Sequence, residues 1–274
     1  MFINYYKVVI FQNLYMPYLV SVPPMFRQSG SWAPQSRGIG AAFEQTNNYD
    51  LFVFSPNLSE GNGDISFMRE LVTLRNDLLA NKYHQKGILS GTLEEAAAYI
   101  KADFERRPDK STDSFGLVRR WEEDDKYDLI ATATLFYEDH PTAAILPGAF
   151  EKLERIASEE TEDPDFIEVG RLAFEGCDGV ESRMLMEGLC AYVSGMNVAR
   201  YAGEKNHVFI CSNPEHSRTY QALFGMRPLD MSITDLAAYN GNPGLVTYAN
   251  VDEMSASRKW QRSVKRTHDR FNLF

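Results

Sequence analysis

The chain has 274 residues and a net charge of −10, and its length suits one large domain or two small ones. Hydrophobic residues make up 44% and charged residues 24% of it, as in ordinary soluble globular proteins. The acidic balance argues against a nucleic-acid binder, because neutralising phosphates requires clustered Lys and Arg. The three cysteines form no C-x-x-C pair and the five histidines lack metal-ligand spacing, so we expect no metal and a reduced, cytoplasmic setting.

Residues 1–60 are rich in glycine and proline and have no sustained hydrophobic period, which predicts a loop-rich N-terminal extension. The longest unbroken apolar run there, Val8–Phe11, is far too short to span a bilayer, and no convincing signal-peptide pattern is present. A start codon assigned too early is the alternative, since Met16 and Met25 are available. We favour the extension.

Between residues 61 and 254, helical and strand patterns alternate, which predicts one domain. Thr92 and Glu95 have capping-box spacing, and the acidic turn Glu122–Asp125 separates two strands of a hairpin. A strand–helix–strand unit follows the hairpin, so we predict an α/β fold with a mixed, mostly antiparallel central sheet flanked by helices. The predicted helices are 65–83, 92–105, 148–158, 181–201 and 214–224, and the predicted strands are 114–121, 127–137, 166–174 and 207–211.

The strand at 166–174 carries two charged residues. Strict alternation places Glu168, Gly170 and Leu172 on one face and Arg171, with its neighbours, on the other. Charges on a central strand are costly without a partner or a task, so an ion pair at a sheet edge and a catalytic role are both open.

Several short motifs together resemble the Gcn5-related N-acyltransferases. Asn213 is followed by Tyr220 and then by a glycine five residues later, a spacing similar to that of the long-chain N-acyl amino acid synthases. Glu168-Val-Gly-Arg171-Leu-Ala-Phe resembles a strand that those synthases share with acyl-homoserine-lactone synthases. Three departures stand out: no glycine-rich pyrophosphate loop precedes Arg183, Thr134 replaces a common Arg, and Gly170 replaces a typical Ser. Further matches are Leu74-Arg75, Leu146-Pro147 and Asn242-Pro243-Gly244-Leu245.

The resemblance implies transfer of a long acyl chain from a thioester, on the phosphopantetheine arm of an acyl carrier protein or on coenzyme A, to the amine of an amino acid or similar metabolite. Glu168 would take the amine proton, Tyr220 would protonate the leaving sulfur, and Arg171 would bind a carboxylate or orient Glu168. The implied donor-binding residues are Leu172, Ala173, Phe174, Gly179, Ser182, Arg183 and Asn213, and the implied substrate-binding residues are Arg75 and His216. An ordinary acetyl-CoA-dependent acetyltransferase and a catalytically degenerate acyl-carrier-binding module are the alternatives.

Residues 255–274 are predicted to form a separate basic helix with a net charge of +5. This helix offers a landing surface for an acidic carrier protein. Trp260, Val264 and Phe271 fall on one stripe, so contact with an anionic membrane and packing on the protein's own body are equally open.

Overall fold

The computed structural model describes residues 49–54, 65–107, 111–121, 126–176, 179–200, 206–230, 237–238 and 242–271. Most of the predicted extension lies outside these ranges. Tyr49–Phe54, however, form an edge strand of the main sheet, which the sequence reasoning had assigned to the loop-rich segment. Leu51, Phe52 and Phe54 are buried, so pairing with a neighbouring strand and apolar burial stabilise this short element.

Between residues 61 and 254 the predicted helices and strands agree with the observed ones to within two residues at each end. The C-terminal helix begins three residues later than predicted, and the short helices α3 and α7 and the small strands β6 to β8 were not predicted. The helices are α1 (Ile65–Gln85), α2 (Leu93–Glu105), α3 (Pro141–Ile145), α4 (Pro147–Glu160), α5 (Gly179–Arg200), α6 (Pro214–Phe224), α7 (Val251–Ala256) and α8 (Arg258–Phe271). The strands are β1 (Tyr49–Phe54), β2 (Thr112–Trp121), β3 (Lys126–Phe136), β4 (Phe166–Phe174), β5 (His207–Ser212), β6 (Arg227–Pro228), β7 (Ala237–Ala238), β8 (Asn242–Pro243) and β9 (Leu245–Asn250).

Helix α2 begins with the capping box that the sequence predicted. The backbone N–H of Glu95 donates to Thr92 Oγ1 at 3.2 Å, and the backbone N–H of Thr92 donates to Glu95 Oε2 at 2.7 Å. Two helix-terminal N–H groups thus find partners within the first turn.

The described residues form a seven-stranded sheet in the order β1-β2-β3-β4-β5-β9-β6. Only the β4–β5 pair is parallel among its pairings in the described ranges, so the predicted mixed, mostly antiparallel sheet is confirmed. One face packs against α5, α6 and α8 around Leu185 and Trp260. The opposite face packs against α1 and α2 around Leu79 and Ile100, and against α4 around Leu153.

The C-terminal helix α8 packs on the body of the protein. Trp260 is 3% exposed and Val264 is buried with it, in the core that α5 contributes to. The proposed membrane-contacting stripe is therefore wrong for these two residues, because their apolar surface is already covered; the side chain of Phe271 lies outside the described residues. No helix in the described ranges is long and apolar enough to cross a membrane.

Candidate active site

Strands β4 and β5 pair in parallel over a short stretch and then part. Phe166–Val169 lie opposite His207–Ile210. Beyond them β4 stays with β3 as far as Phe174, whereas β5 stays with β9 as far as Ser212. A wedge therefore opens between the carboxyl ends of two parallel strands, the kind of place where open α/β sheets bind ligands.

Arg171 lies in a β-bulge beside this wedge. Arg171 and Leu172 together oppose a single residue of β3, and Arg171 has a φ of 50°, which non-glycine residues seldom adopt. Because the bulge adds one residue, Arg171 projects to the α1–α2 face, where Glu168 interacts with its charge. The predicted placement of Glu168 and Arg171 on opposite faces is therefore wrong. Ala173 also packs against α1 and α2, whereas Leu172 and Phe174 pack on the α5 side.

Glu168 is a buried carboxyl, 2% exposed, that faces the start of α3. The hydroxyl of Thr142 donates to Oε1 at 2.8 Å and the backbone N–H of Thr142 donates to Oε2 at 3.1 Å. Burial raises the pKa of Glu168 from 4.5 to about 7, although both Thr142 hydrogen bonds and the charges of Arg171 and Arg107 lower it. A carboxyl with this pKa both accepts and releases protons near neutral pH.

Asp103 of α2 connects Arg171 to two arginines at the end of the same helix. Nη2 of Arg171 donates to Asp103 Oδ2 at 2.7 Å, and Nη2 of Arg107 donates to Oδ1 at 3.4 Å. Burial would raise the pKa of Asp103, but the charges of Arg171, Arg107 and Arg106 outweigh it and leave the pKa lowered. Asp103 is therefore a constant anion that holds Arg171 in place.

Arg75, predicted to bind substrate, is a fully buried cation on the same face. Its Nη1 donates to Ser114 Oγ at 2.8 Å, its Nε and Nη2 donate to Asn76 Oδ1, and its guanidinium lies 3.6 Å from the centre of the Phe104 ring. Burial lowers the pKa of Arg75 to about 9, against the charge of Asp103. Arg75 thus contributes a buried positive charge to the cluster around Asp103.

Tyr220 is buried on α6, with its ring stacked on Phe224 at a centroid distance of 6.3 Å. Burial first, and then the neighbouring Tyr83, raise the pKa of Tyr220 to about 12. Tyr83 of α1 has its ring 5.7 Å from the guanidinium of Arg171. Burial raises the pKa of Tyr83, Arg171 lowers it, and Asp103 and Glu168 raise it further. Tyr83 therefore interacts electrostatically with both Tyr220 and the charged cluster.

The predicted donor-binding residues of α5 occupy its first turns. Gly179 is exposed, Ser182 is partly buried, and Arg183 is exposed with its Nε donating to Glu187 Oε1 at 2.8 Å. Glu187 is buried and also accepts from Arg266 Nε of α8 at 2.7 Å. A basic group from α5 and one from α8 are thus brought side by side.

The first turn of α5 also holds a carboxylate that the sequence reasoning overlooked. Glu181 Oε1 accepts hydrogen bonds from the Tyr49 hydroxyl at 2.5 Å and from Arg119 Nη2 at 2.5 Å. Asn213 and His216 lie at the start of α6, where both are exposed. The structure therefore groups Glu168, Arg171 and Arg75, and places the other predicted residues along the two helices that flank the wedge.

Sequence reasoning missed several members of the buried cluster, namely Tyr83, Asp103, Arg107, His140 and Thr142. A signal was available for one of them. Asp103 follows Ile100 three residues later, so it falls on the apolar face of α2. A charged residue on a buried helical stripe requires a partner, and Asp103 would have pointed to a polar site. Within the described ranges, no group of three or more His, Cys, Asp or Glu is placed to hold a metal ion.

No protein-family model and no curated protein matches this chain. Among solved structures, it is similar to FeeM, an N-acyl amino acid synthase from uncultured soil microbes, with 17% identity, a TM-score of 0.49, and coverage of 78% of this chain and 99% of that chain. It is also similar to the coenzyme-A-dependent acyl-homoserine-lactone synthase BjaI (11% identity, TM-score 0.48, 82% and 90% covered) and to the acyl-homoserine-lactone synthase LasI (11%, 0.47, 79% and 94%). At these identities the likeness concerns the fold and says nothing about substrates.

Proposed function

We propose that this protein is an N-acyltransferase that moves an acyl group from a thioester to the amine of a small, carboxylate-bearing acceptor. The observation that carries the proposal is Glu168, a buried carboxyl with a pKa of about 7, set beside a buried cationic cluster where β4 and β5 part. In the reaction the amine nitrogen attacks the thioester carbon, the C–N bond forms, and the C–S bond breaks. The products are an amide and a free thiol.

Glu168 acts as the general base. Each of its oxygens accepts one hydrogen bond from Thr142, and each retains a lone pair for the amine proton. Backbone N–H groups of β4 beyond Val169, at Leu172 or Ala173, stabilise the oxyanion, because that edge of the strand faces the wedge instead of β5.

Tyr220 acts on the leaving sulfur as a hydrogen-bond donor. A thiol ordinarily has a pKa of about 8.5, so full transfer from a phenol of pKa about 12 would be uphill by roughly 4–5 kcal/mol. A hydrogen bond to the developing thiolate carries no such penalty. The thiolate then takes up a proton that the amine nitrogen has released.

The acceptor carries a carboxylate because guanidinium groups gather at the site. Arg107 and Arg171 pair with Asp103, and Arg75 interacts with its charge from a buried position. Arg171 lies on β4 just past the last residue paired with β5, and its planar fork suits two-point binding of a carboxylate.

Apolar side chains beyond the wedge favour a long acyl chain as the transferred group. Val169 and Ile210, the last paired residues of β4 and β5, line a cavity there, together with Cys190, Phe224 and Trp260. Three methionines also line it, and methionine side chains adapt readily to a guest. At about 20 Å³ the cavity holds no more than about one water molecule, so an acyl chain that enters through the wedge has to displace these side chains.

An acyl carrier protein is the proposed donor. Its single phosphodiester does not require a glycine-rich pyrophosphate loop, and its acidic surface suits the outer side of α8. Arg258, Lys259, Arg262 and Lys265 are exposed there, and Arg183 is exposed on the neighbouring α5. An otherwise acidic protein therefore presents a basic strip beside the helix that follows β4.

The test is turnover with purified components. The full chain is incubated with a long-chain acyl carrier protein or the matching acyl-CoA, with a panel of amino acids, and free thiol and N-acyl product are measured by mass spectrometry. We expect kcat/KM to rise as the pH passes through about 7, because Glu168 ionises there. We also expect turnover to be lost in Glu168→Gln. It should be kept in Glu154→Gln, which changes an exposed glutamate on α4. Tight binding of loaded carrier without thiol release across the panel would refute the proposed enzymatic activity and favour a binding module. The absent phosphate loop and Thr134 are the features that support this alternative.

A further inference from the structure

His140 lies beside the proposed general base. It immediately precedes α3, and its Nδ1 is 3.9 Å from Glu168 Oε2. Its imidazole stands among three aromatic rings, with centroid distances of 5.4 Å to Phe150, 5.4 Å to Phe209 and 6.4 Å to Phe166. Movement of about 1 Å would bring the two polar atoms to hydrogen-bond distance.

The segment that carries His140 is held on both sides of this residue. Nη1 of Arg107 donates to the carbonyl oxygen of Asp139 at 2.9 Å, and Thr142 donates twice to Glu168. The backbone before and after His140 is thus tied to the charged cluster. Its position relative to Glu168 follows from these contacts, and the ring packing fixes its orientation.

The chemistry of an amine acceptor requires more than one proton carrier. An alkyl amine arrives at neutral pH as an ammonium ion, so it loses one proton before it attacks the thioester and a second when the amide forms. The departing thiolate takes up one of these protons, and the other must leave the site. Glu168 can hold it, but at 2% exposure it has little direct contact with water.

We infer that His140 relays the proton from Glu168 toward solvent, a role that rests on the proposed function. Oε2 of protonated Glu168 gives its proton to Nδ1 of His140, which restores the carboxylate for the next cycle. The His140 side chain is 11% exposed, more than that of Glu168, so the proton moves outward. The other charged groups facing this pair are Arg107 and Arg171, and neither guanidinium can accept a further proton.

The alternative is that the His140 imidazole is purely structural and packs as a fourth ring among the phenylalanines. This alternative predicts different effects of substitution. His140→Phe keeps an aromatic ring in that position, and His140→Gln keeps a polar side chain, but both remove the titrating group. His84→Gln, on α1 and outside the proposed site, is the matched control. If His140 only fills space, His140→Phe retains full activity.

Activity is measured with an α-amino acid and with its aminooxy counterpart, whose nitrogen is already neutral at pH 7. For the α-amino acid, we expect both His140 variants to lower kcat at least tenfold with little change in KM, and to alter the pH profile of kcat. For the aminooxy acceptor, which has one proton fewer to lose, the loss should shrink to less than about threefold. Full activity in either His140 variant, or equal losses with both acceptors, would overturn the relay.

A second measurement needs no turnover. The His140 imidazole is titrated by NMR in the full chain, with its resonance assigned by comparison with His140→Gln. Glu168→Gln should lower the His140 titration midpoint, because the neighbouring carboxylate stabilises the imidazolium ion. An unchanged midpoint would overturn the Glu168–His140 pair. If the unaltered chain acylates nothing, the proposed function fails, and this titration still decides whether the two groups share a proton.

Discussion

Because ionised Glu168 is costly to bury, the free energy of unfolding should depend on pH, and Glu168→Gln should remove that dependence. The folded state holds the Glu168 proton more tightly, with a pKa of about 7 against 4.5 for an ordinary glutamate. The penalty is therefore absent well below pH 4.5, grows as the pH rises to 7, and is constant above it. For these two pKa values it is about 1 kcal/mol at pH 5 and about 3 kcal/mol at pH 8.

Glu168→Gln cannot ionise. The difference between its free energy of unfolding and that of the parent should therefore shift in favour of the variant by about 2–3 kcal/mol from pH 5 to pH 8. Any fixed loss in the Thr142 hydrogen bonds is the same at both pH values and cancels in this double difference. Urea unfolding of both proteins at the two pH values measures it, with Glu154→Gln as the control. A difference below about 0.5 kcal/mol would show that Glu168 ionises with an ordinary pKa. It would therefore refute the assignment of Glu168 as a base that ionises near neutral pH.

Three further outcomes are expected. Arg171→Lys loses two-point carboxylate binding, so KM for an α-amino acid should rise about tenfold. KM for the corresponding amine without a carboxylate should not change. Equal effects on both would contradict the assignment of Arg171 as the carboxylate-binding residue. Glu187→Gln removes the carboxylate shared by Arg183, Arg266 and Arg270. Because the side chains of Arg183 and Arg266 are 51% and 40% exposed, urea unfolding should show a loss of only about 1 kcal/mol that shrinks at high salt. Thr92→Ala breaks the capping box of α2 and should cost about 1 kcal/mol in the same assay, and an unchanged midpoint would mean that the helix end is stabilised elsewhere.

Much of the secondary structure was predictable because its signals are local. The hydrophobic period of α1, the capping box at Thr92 and the Asn213-Pro214 start of α6 each act within a few residues. The edge strand at 49–54 was missed because its six residues have no local signal beyond an apolar run, and the residues it pairs with lie 60 to 70 positions away.

The bulge at Arg171 was missed for a related reason. Alternation is a sound rule for a regular strand, but a single inserted residue reverses it for everything that follows. The insertion depends on how β4 pairs with β3, which is a property of the sheet. Glu168 and Arg171 were therefore identified correctly as unusual charges but assigned to opposite faces.

The sequence by itself determined the order of helices and strands, the acidic body with its basic C-terminal helix, and the identity of the two charged residues on β4. Only the tertiary structure decided what surrounds them. Asp103 lies on α2, His140 and Thr142 lie at the start of α3, and Tyr83 lies on α1, all separated from Glu168 by tens of residues. Local propensity acts over a few residues, whereas the pKa of a buried carboxyl depends on every group that packing brings within reach of its charge.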